Sequence, residues 1–539
     1  MPQMSKRMLR HAPSLLACVS LLGCNSVLGL NNYTISKATE KDAGPVAVIE
    51  TGCKTNAECV ASFTAQVTAD AGADVEKVPA ICLKDEGACV QLTSEDCKTV
   101  TGDYENDKAI VIGSLFAVQG TTSAQNLPRQ QSAILALNEV NDNGGGIPTE
   151  TAGSSRPLVM VSCDTSVNLV RAATHLVHDI KVPAIVGPNT SQDTLDVSNK
   201  VTIQAGTVVI SPSAVASSIG DLIDNDLTWL VVPSDEQRAK PMIKNINDLE
   251  GTLKTQRSLT NIKLSIIYRN DALGIGTRTS MDALTINGAS LSSPLNAGNP
   301  SGNVHIDPYD ATQTDYSPIL TKEVAFAPDI VVLAGTAESV TKVLTPLEQQ
   351  WTAPNRPYYY LIDPSKGADL LKAVTGNDNL RARVRGTGAT PGADSQPVNN
   401  AFNLDFLAKY NVSPTASGTG PSYDATYALA YALASIKDQP ITGANVAKGL
   451  RMLAGGTDKV NTGPRDIMMA FSDLASGRAI AGVGTYCPLE WDAHGSVMGG
   501  TIEMWCIGVS GTSPTFQSSG LTFDIKTQTY AGSYMQCGQ

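Results

Sequence analysis

Histidine, aromatic residues and charge are all sparse in this chain, and each scarcity narrows what it can do. Of 539 residues five are histidine, 5% are aromatic and 17% are charged. The histidines are His11, His175, His178, His305 and His494. Only His175 and His178 stand close together, at i, i+3 of a helical pattern. No cysteine or carboxylate completes a ligand set around them, so they read as a solvated helix face. No G-x-S-x-G nucleophile turn and no phosphate-cradling P-loop is present. "GIGTRT" (274–279) begins like a dinucleotide fingerprint but has Thr279 where the third glycine belongs. The expectation is no catalytic residue, no metal ligand and no cofactor, hence no enzyme. Lys and Arg nowhere cluster with aromatics and the net charge is -12, which excludes nucleic acid as a partner.

What the chain does have is length, apolar content and a telling N-terminus. At 539 residues it exceeds one ordinary core, so two or more folding units are expected. Apolar residues make up 42%, which suits a globular protein. "MPQMSKRMLRHAPSLLACVSLLGCNS" carries Lys6, Arg7 and Arg10, then an apolar run from Leu15 to Leu22. That is the charged and apolar plan of a secretory signal, and the run is too short to span a bilayer. Leu21-Leu22-Gly23-Cys24 resembles a bacterial lipobox, which implies cleavage after residue 23 and lipidation of Cys24. An ordinary signal peptide cut nearby is the plainer alternative. No later stretch is long and apolar enough for a transmembrane helix, so the expectation is an exported protein held at the cell envelope, periplasmic or cell-surface, by lipid alone.

Cysteine usage agrees with export. After Cys24 come Cys53, Cys59, Cys82, Cys89 and Cys97 in a bunch, then Cys163, Cys487, Cys506 and Cys537. In an oxidising compartment such a bunch reads as a disulfide framework for a segment too small to bury its own core. Zinc is the competing reading, but no C-x-x-C pair and no nearby histidine supports it. Residues 24–52 read as a tether and 53–100 as the cysteine-rich module, expected to fold separately from the rest. Nine cysteines are an odd number, so at least one is free or pairs between molecules. "CPLEWDAHGSVMGGTIEMWC" (487–506) reads as two strands around a turn near His494–Gly495, which predicts a Cys487–Cys506 bridge.

From Ala109 the texture changes. "AIVIGSLF" (109–116), "PLVMVSC" (157–163), "PAIVG" (183–187) and "TVVIS" (207–211) are buried-strand runs separated by helix-length segments. The alternation restarts at "KLSIIY" (263–268), "DIVVLAG" (329–335) and "YYYLI" (358–362). Strand–helix–strand units of this kind imply parallel sheets with helices on both faces. Two runs imply two α/β lobes. "VGPNTSQDT" (186–194) breaks a strand and then presents five hydrogen-bonding side chains. It lies beyond a strand's carboxyl end, where open α/β sheets bind ligands. Thr190 or Ser191 is the expected N-cap of the following helix.

In order and spacing, "IVIGSLFAVQG", "ILALNEVNDNGGG", "VPAIVGPNTSQ", "VVISPSAVASS", "LSIIYRNDALGIG", "PSYDATYALAYAL" and "CPLEWDAHGS" resemble the type I periplasmic binding proteins. The likeness is to the leucine/isoleucine/valine-binding family of ABC-transporter solute receptors. The resemblance implies an α/β fold of two doubly wound parallel-sheet lobes joined by a three-strand hinge, here preceded by the cysteine-rich module. The two-lobed domain would run over 109–539, with lobe one about 109–232 and 388–484 and lobe two about 236–386 and 487–530. It implies a ligand enclosed between the lobes and carries Gln125, Ser191, Ser213, Ala214, Leu273 and Asp363 into the pocket. Ser191 and Ser213 would hold a carboxylate and Asp363 an ammonium. Val215 and Leu273 replace a threonine and a tyrosine common in the family, so branched-chain specificity does not follow. Cys163 lacks the family's usual partner, because that position is Thr190, and is expected buried and reduced. The resulting expectation is a monomeric extracytoplasmic binding lipoprotein. It would close over a small polar ligand, an amino acid or related organic acid, for an ABC permease. The alternatives are a sensor of the same fold feeding a signalling membrane protein, and a structural envelope lipoprotein with a vestigial pocket.

Overall fold

A computed structural model of the chain describes residues 48–50, 52–71, 76–298 and 302–538. The expected signal peptide, Cys24 and most of the expected tether lie outside the described residues. No helix among the described residues is long and apolar enough to cross a membrane.

Two sheets organise the molecule. The first has six strands in the order Thr228–Leu230, Val208–Ser211, Ala184–Val186, Ile110–Phe116, Leu158–Asp164, Cys97–Thr101. All neighbours pair parallel except the last, which runs antiparallel at the edge. The second has eight: Val304–Tyr309, Leu264–Arg269, Ile330–Ala334, Tyr358–Ile362, Val384–Thr390, Thr501–Ser510, Ser513–Asp524, Thr529–Ala531. Its first five pair parallel and its last three antiparallel. The inner strands are buried on both faces, which is why they read as unbroken apolar runs.

The chain passes between the sheets three times. After Thr228–Leu230 it enters the helix Asp235–Arg257, whose Met242, Ile246, Leu249 and Leu253 pack with Leu264, Ile266 and Val332 of the second sheet. After Val384–Thr390 it returns through the helix Gln396–Tyr410, where Phe402 and Phe406 join the first core. It crosses last between Val497, still in the first core, and the strand starting at Thr501. Residues 487–497, which the resemblance assigned to the second lobe, therefore pack with the first. The helix Thr419–Ile436 fills the middle of the first core. Its alanines let it sit close against the helix Ser123–Asp142, and Tyr427 donates a 2.7 Å hydrogen bond to the buried Glu139 carboxylate.

Three expectations about cysteine need correcting. In the module, Cys53–Cys82 and Cys59–Cys89 staple the helix Asn56–Ala71 to a three-stranded antiparallel sheet around Val60 and Phe63. However, the module is not a separate body. Ile81, Val90, Leu92 and Cys97 share a core with Leu115, Val161 and Leu176, and Arg171 forks onto the Asp96 carboxylate at 2.6 and 2.8 Å. Second, Cys163 is not reduced. The edge strand Cys97–Thr101 places Cys97 directly opposite Cys163, and the two form a disulfide. Third, Cys487 and Cys506 are not bonded. The expected turn near His494–Gly495 does form, with Trp491 bridged antiparallel to Val497, but this short pairing closes within the first lobe and leaves Cys487 in the first core as a buried thiol. Cys506 sits within a strand of the second sheet and bonds Cys537. Nor is His175 solvated: it is buried, one ring nitrogen 3.0 Å from the Leu92 carbonyl and the other 3.1 Å from Asp179.

Candidate functional site

The carboxyl ends of both sheets open toward one crevice, as expected for doubly wound folds. The first wall comes from the loops after Ala184–Val186 and Val208–Ser211. Thr190 is the N-cap of the helix Ser191–Val197, its Oγ1 accepting the Asp193 N–H at 3.1 Å. The Ser191 hydroxyl oxygen accepts the backbone N–H groups of Val215 and Ala216 at 3.0 and 3.1 Å. Ser213 donates to the Asn189 carbonyl at 2.8 Å, and the N–H of buried Ala214 donates to Ser211 Oγ at 3.2 Å. These hydroxyls knit two loops together; Ser213 commits its proton to Asn189, whereas Ser191 accepts two N–H groups and keeps its proton to donate. Gln125, on the helix Ser123–Asp142, reaches toward the second lobe, its Nε2 3.9 Å from where a Cβ would sit on Gly367 in the loop after Tyr358–Ile362.

The facing wall is the helix Ala272–Ser280, which packs against the first wall. The Ala272 N–H donates to Gln192 Oε1 at 3.4 Å. A Cβ on Gly276 would lie 2.1 Å from Asp235 Oδ2 and 3.5 Å from Ala216 Cα, so the closeness of this approach depends on glycine.

At the base of the crevice the helix Asp235–Arg257 contributes two charges that sequence reading missed. A capping box formed by Ser234 and Gln237 fixes its first turn. Asp235 is buried; its Oδ1 accepts the Ser217 N–H at 3.1 Å, while Oδ2 is buried with no hydrogen-bond partner. Burial pushes its carboxyl up to about 6, against the opposing pull of the Ser217 N–H and the Arg238 charge. One turn on, Arg238 donates from Nε to the Pro233 carbonyl at 2.9 Å and from Nη1 to Asp363 Oδ1 at 2.5 Å. Both members of this ion pair are largely buried. Val215, Asp235, Arg238, Met242, Leu273, Thr277, Ile362 and Asp363 line a cavity of about 20 Å³, room for about one water molecule. Leu273 and Asp363 are thus brought together as expected, whereas Ser191, Ser213, Ala214 and Gln125 do not line this cavity. The available signal was "PSDEQRAK" (233–240), a capping-box start placed where the chain leaves the first lobe.

A further cation lies beside Ser213. Arg129, buried on the helix Ser123–Asp142, donates to the Ser417 carbonyl and to Asn126 Oδ1, both at 2.6 Å. Both partners are neutral, and burial lowers the guanidinium pKa to about 10. A Cβ on Gly418 would be 2.9 Å from Arg129 Nε and 3.2 Å from Ser213 Cβ.

Comparison with known proteins is consistent with this geometry. The model of a family described as periplasmic binding protein matches residues 109–467. Among solved structures, the branched-chain amino acid transporter substrate-binding protein LivJ from Streptococcus pneumoniae, in complex with isoleucine, is 19% identical with a TM-score of 0.54. That match covers 76% of this chain and 99% of LivJ. The leucine-binding protein LivK from Thermotoga maritima is 15% identical, TM-score 0.53, covering 76% and 98%. A solute-binding protein from R. palustris in complex with benzoate is 13% identical, TM-score 0.51, covering 80% and 100%. These likenesses are of fold. No curated protein matches the chain.

Proposed function

We propose, from the premise that this chain belongs to the periplasmic binding protein family, that it is an extracytoplasmic solute-binding lipoprotein taking an amino acid or related organic acid between its lobes for an ABC importer. The carrying observation is the Arg238–Asp363 pair at the crevice base, flanked by apolar Val215, Met242, Leu273 and Ile362. A zwitterion can replace each half of that pair, its carboxylate meeting Arg238 and its ammonium meeting Asp363. A carboxylate alone would leave Asp363 without a counter-charge, so among amino acids and related organic acids the pair favours those that also carry a cationic group. The apolar residues then receive the ligand's side chain. The cavity in the closed arrangement is far smaller than an amino acid, so binding requires the helix Ala272–Ser280 to part from the first wall and re-close around the ligand. Closure is the event a permease would recognise.

A second reading has its own support: Arg238 is already paired with Asp363, and Ser213 with the Asn189 carbonyl. That favours a structural envelope lipoprotein whose crevice is filled by its own side chains, with the Ser217–Asp235 and Ala272–Gln192 hydrogen bonds joining its two walls. A thermal-shift screen separates the two. Amino acids are compared with chain-matched carboxylic acids and amines. The receptor reading predicts a rise in melting temperature with at least one amino acid that exceeds its acid and amine counterparts. No rise with any of them supports the structural reading.

A further inference from the structure

On the far edge of the second sheet, three side chains form a cluster unrelated to the crevice. His305 and Asp307 stand two residues apart on the end strand Val304–Tyr309, and so share one face. The helix Ser317–Phe326 lies across that face and contributes Glu323. Ligand atoms of His305, Asp307 and Glu323 all lie within 4.8 Å of one another.

The cluster is not explained by its internal bonds. Glu323 is fully buried, and its Oε2 has no hydrogen-bond partner. Ser265, paired in register with His305 on the neighbouring strand, turns its buried hydroxyl toward Glu323 at more than close hydrogen-bond range. His305 Nδ1 stands 3.4 Å from Glu323 Oε1, long for a charge-assisted bond, which is usually about 2.7–2.9 Å. With metal–ligand bonds of about 2.0–2.2 Å, two ligands of a tetrahedral zinc ion stand roughly 3.3–3.5 Å apart. The His305 ring also stacks on Phe326, with centroids 3.5 Å apart, which fixes its plane.

We propose that His305, Asp307 and Glu323 form a binding site for a divalent transition-metal ion, with zinc as the best-fitting case. One imidazole and two carboxylates give a three-ligand set with one position left for water. Two carboxylates balance the charge of the ion. In the arrangement described, Lys322 occupies the Asp307 carboxylate at 2.5 and 2.7 Å, and Glu323 Oε2 makes no close hydrogen bond. The Lys322 side chain is 47% exposed and can swing into solvent as the ion enters. Being on an end strand, the site can load from outside without disturbing the sheet core.

The test is competition for Zn²⁺ against a chelating dye, using the full chain without added histidines. Wild type is compared with His305→Gln and Glu323→Gln, and metal-free melting curves confirm that each variant folds. The expected result is one Zn²⁺ per wild-type chain, with affinity lowered about tenfold or more in each variant, and weaker binding of Ca²⁺. No Zn²⁺ uptake by wild type would overturn the proposal. So would uptake that both variants retain, because the ion would then sit elsewhere.

Discussion

At the residue scale, the crevice is governed by charges that have found partners inside the protein. Removing Arg238 strands the Asp363 carboxylate in a largely buried site, so Arg238→Ala should lower stability by about 3 kcal/mol. The double variant Arg238→Met/Asp363→Leu should recover most of that loss. Urea unfolding of the three proteins checks it, and non-recovery would mean that Arg238 acts by packing alone. Asp235 gives a pH signature. Its carboxyl is pushed up to about 6 when folded, against an ordinary value near 3.9 when unfolded. Between those values the unfolded state is ionised while the folded state keeps its proton, so stability falls as pH rises through the window and is flat above it. Asp235→Asn removes this dependence, so relative to wild type it should gain stability from pH 4 to pH 6.5. Melting temperatures across that range show it, and parallel curves would contradict the assignment. Cys487 offers a chemical check. Burial raises its thiol to about 12, so it should resist alkylation in the native protein and react once unfolded.

At the scale of elements, what was legible depended on burial. Strands covered on both faces, such as Ile110–Phe116, Leu158–Asp164 and Ile330–Ala334, announce themselves as continuous apolar runs. The edge strand "CKTVT" at Cys97–Thr101 does not, because only one side of it is paired and its residues are largely exposed or half-buried. Missing it led to two further errors, since the strand both joins the module to the first lobe and sets Cys97 opposite Cys163. Pairing Cys506 with Cys487 instead of Cys537 has a similar origin. Proximity in sequence stood in for register, and the strand Ser513–Asp524 that brings the C-terminus back is mostly polar. The Cys97–Cys163 bond closes a loop of sequence separation 66, and loops of that size correspond to about 4 kcal/mol of lost chain entropy when cross-linked. Cys163→Ala with Cys97→Ala should therefore lower the melting temperature markedly. An unchanged value would mean that the Arg171–Asp96 contact and the shared core hold the module by themselves.

At the scale of the molecule, the two-lobed plan follows from a chain that crosses three times between two sheets, and the family match covers most of both. The pocket was less legible than the fold. A resemblance carries over positions, such as Leu273 and Asp363, but not which partner each side chain takes. Ser213 had the right residue type for a carboxylate anchor, yet its proton goes to Asn189 within its own wall, while Ser191 accepts from Val215 and Ala216. The capping box around Ser234 and Gln237 marks the helix start that carries Arg238, but its place under the crevice follows only from the fold. On the proposed function, a zwitterionic solute displaces the Arg238–Asp363 pair. Calorimetric titration of wild type, Arg238→Ala and Asp363→Asn with the amino acid that most raises the melting temperature tests it most directly. The account predicts saturable one-to-one binding to wild type, weakened about ten- to a hundredfold in each variant. Equal affinity in all three proteins, or no heat of binding to wild type, would contradict it.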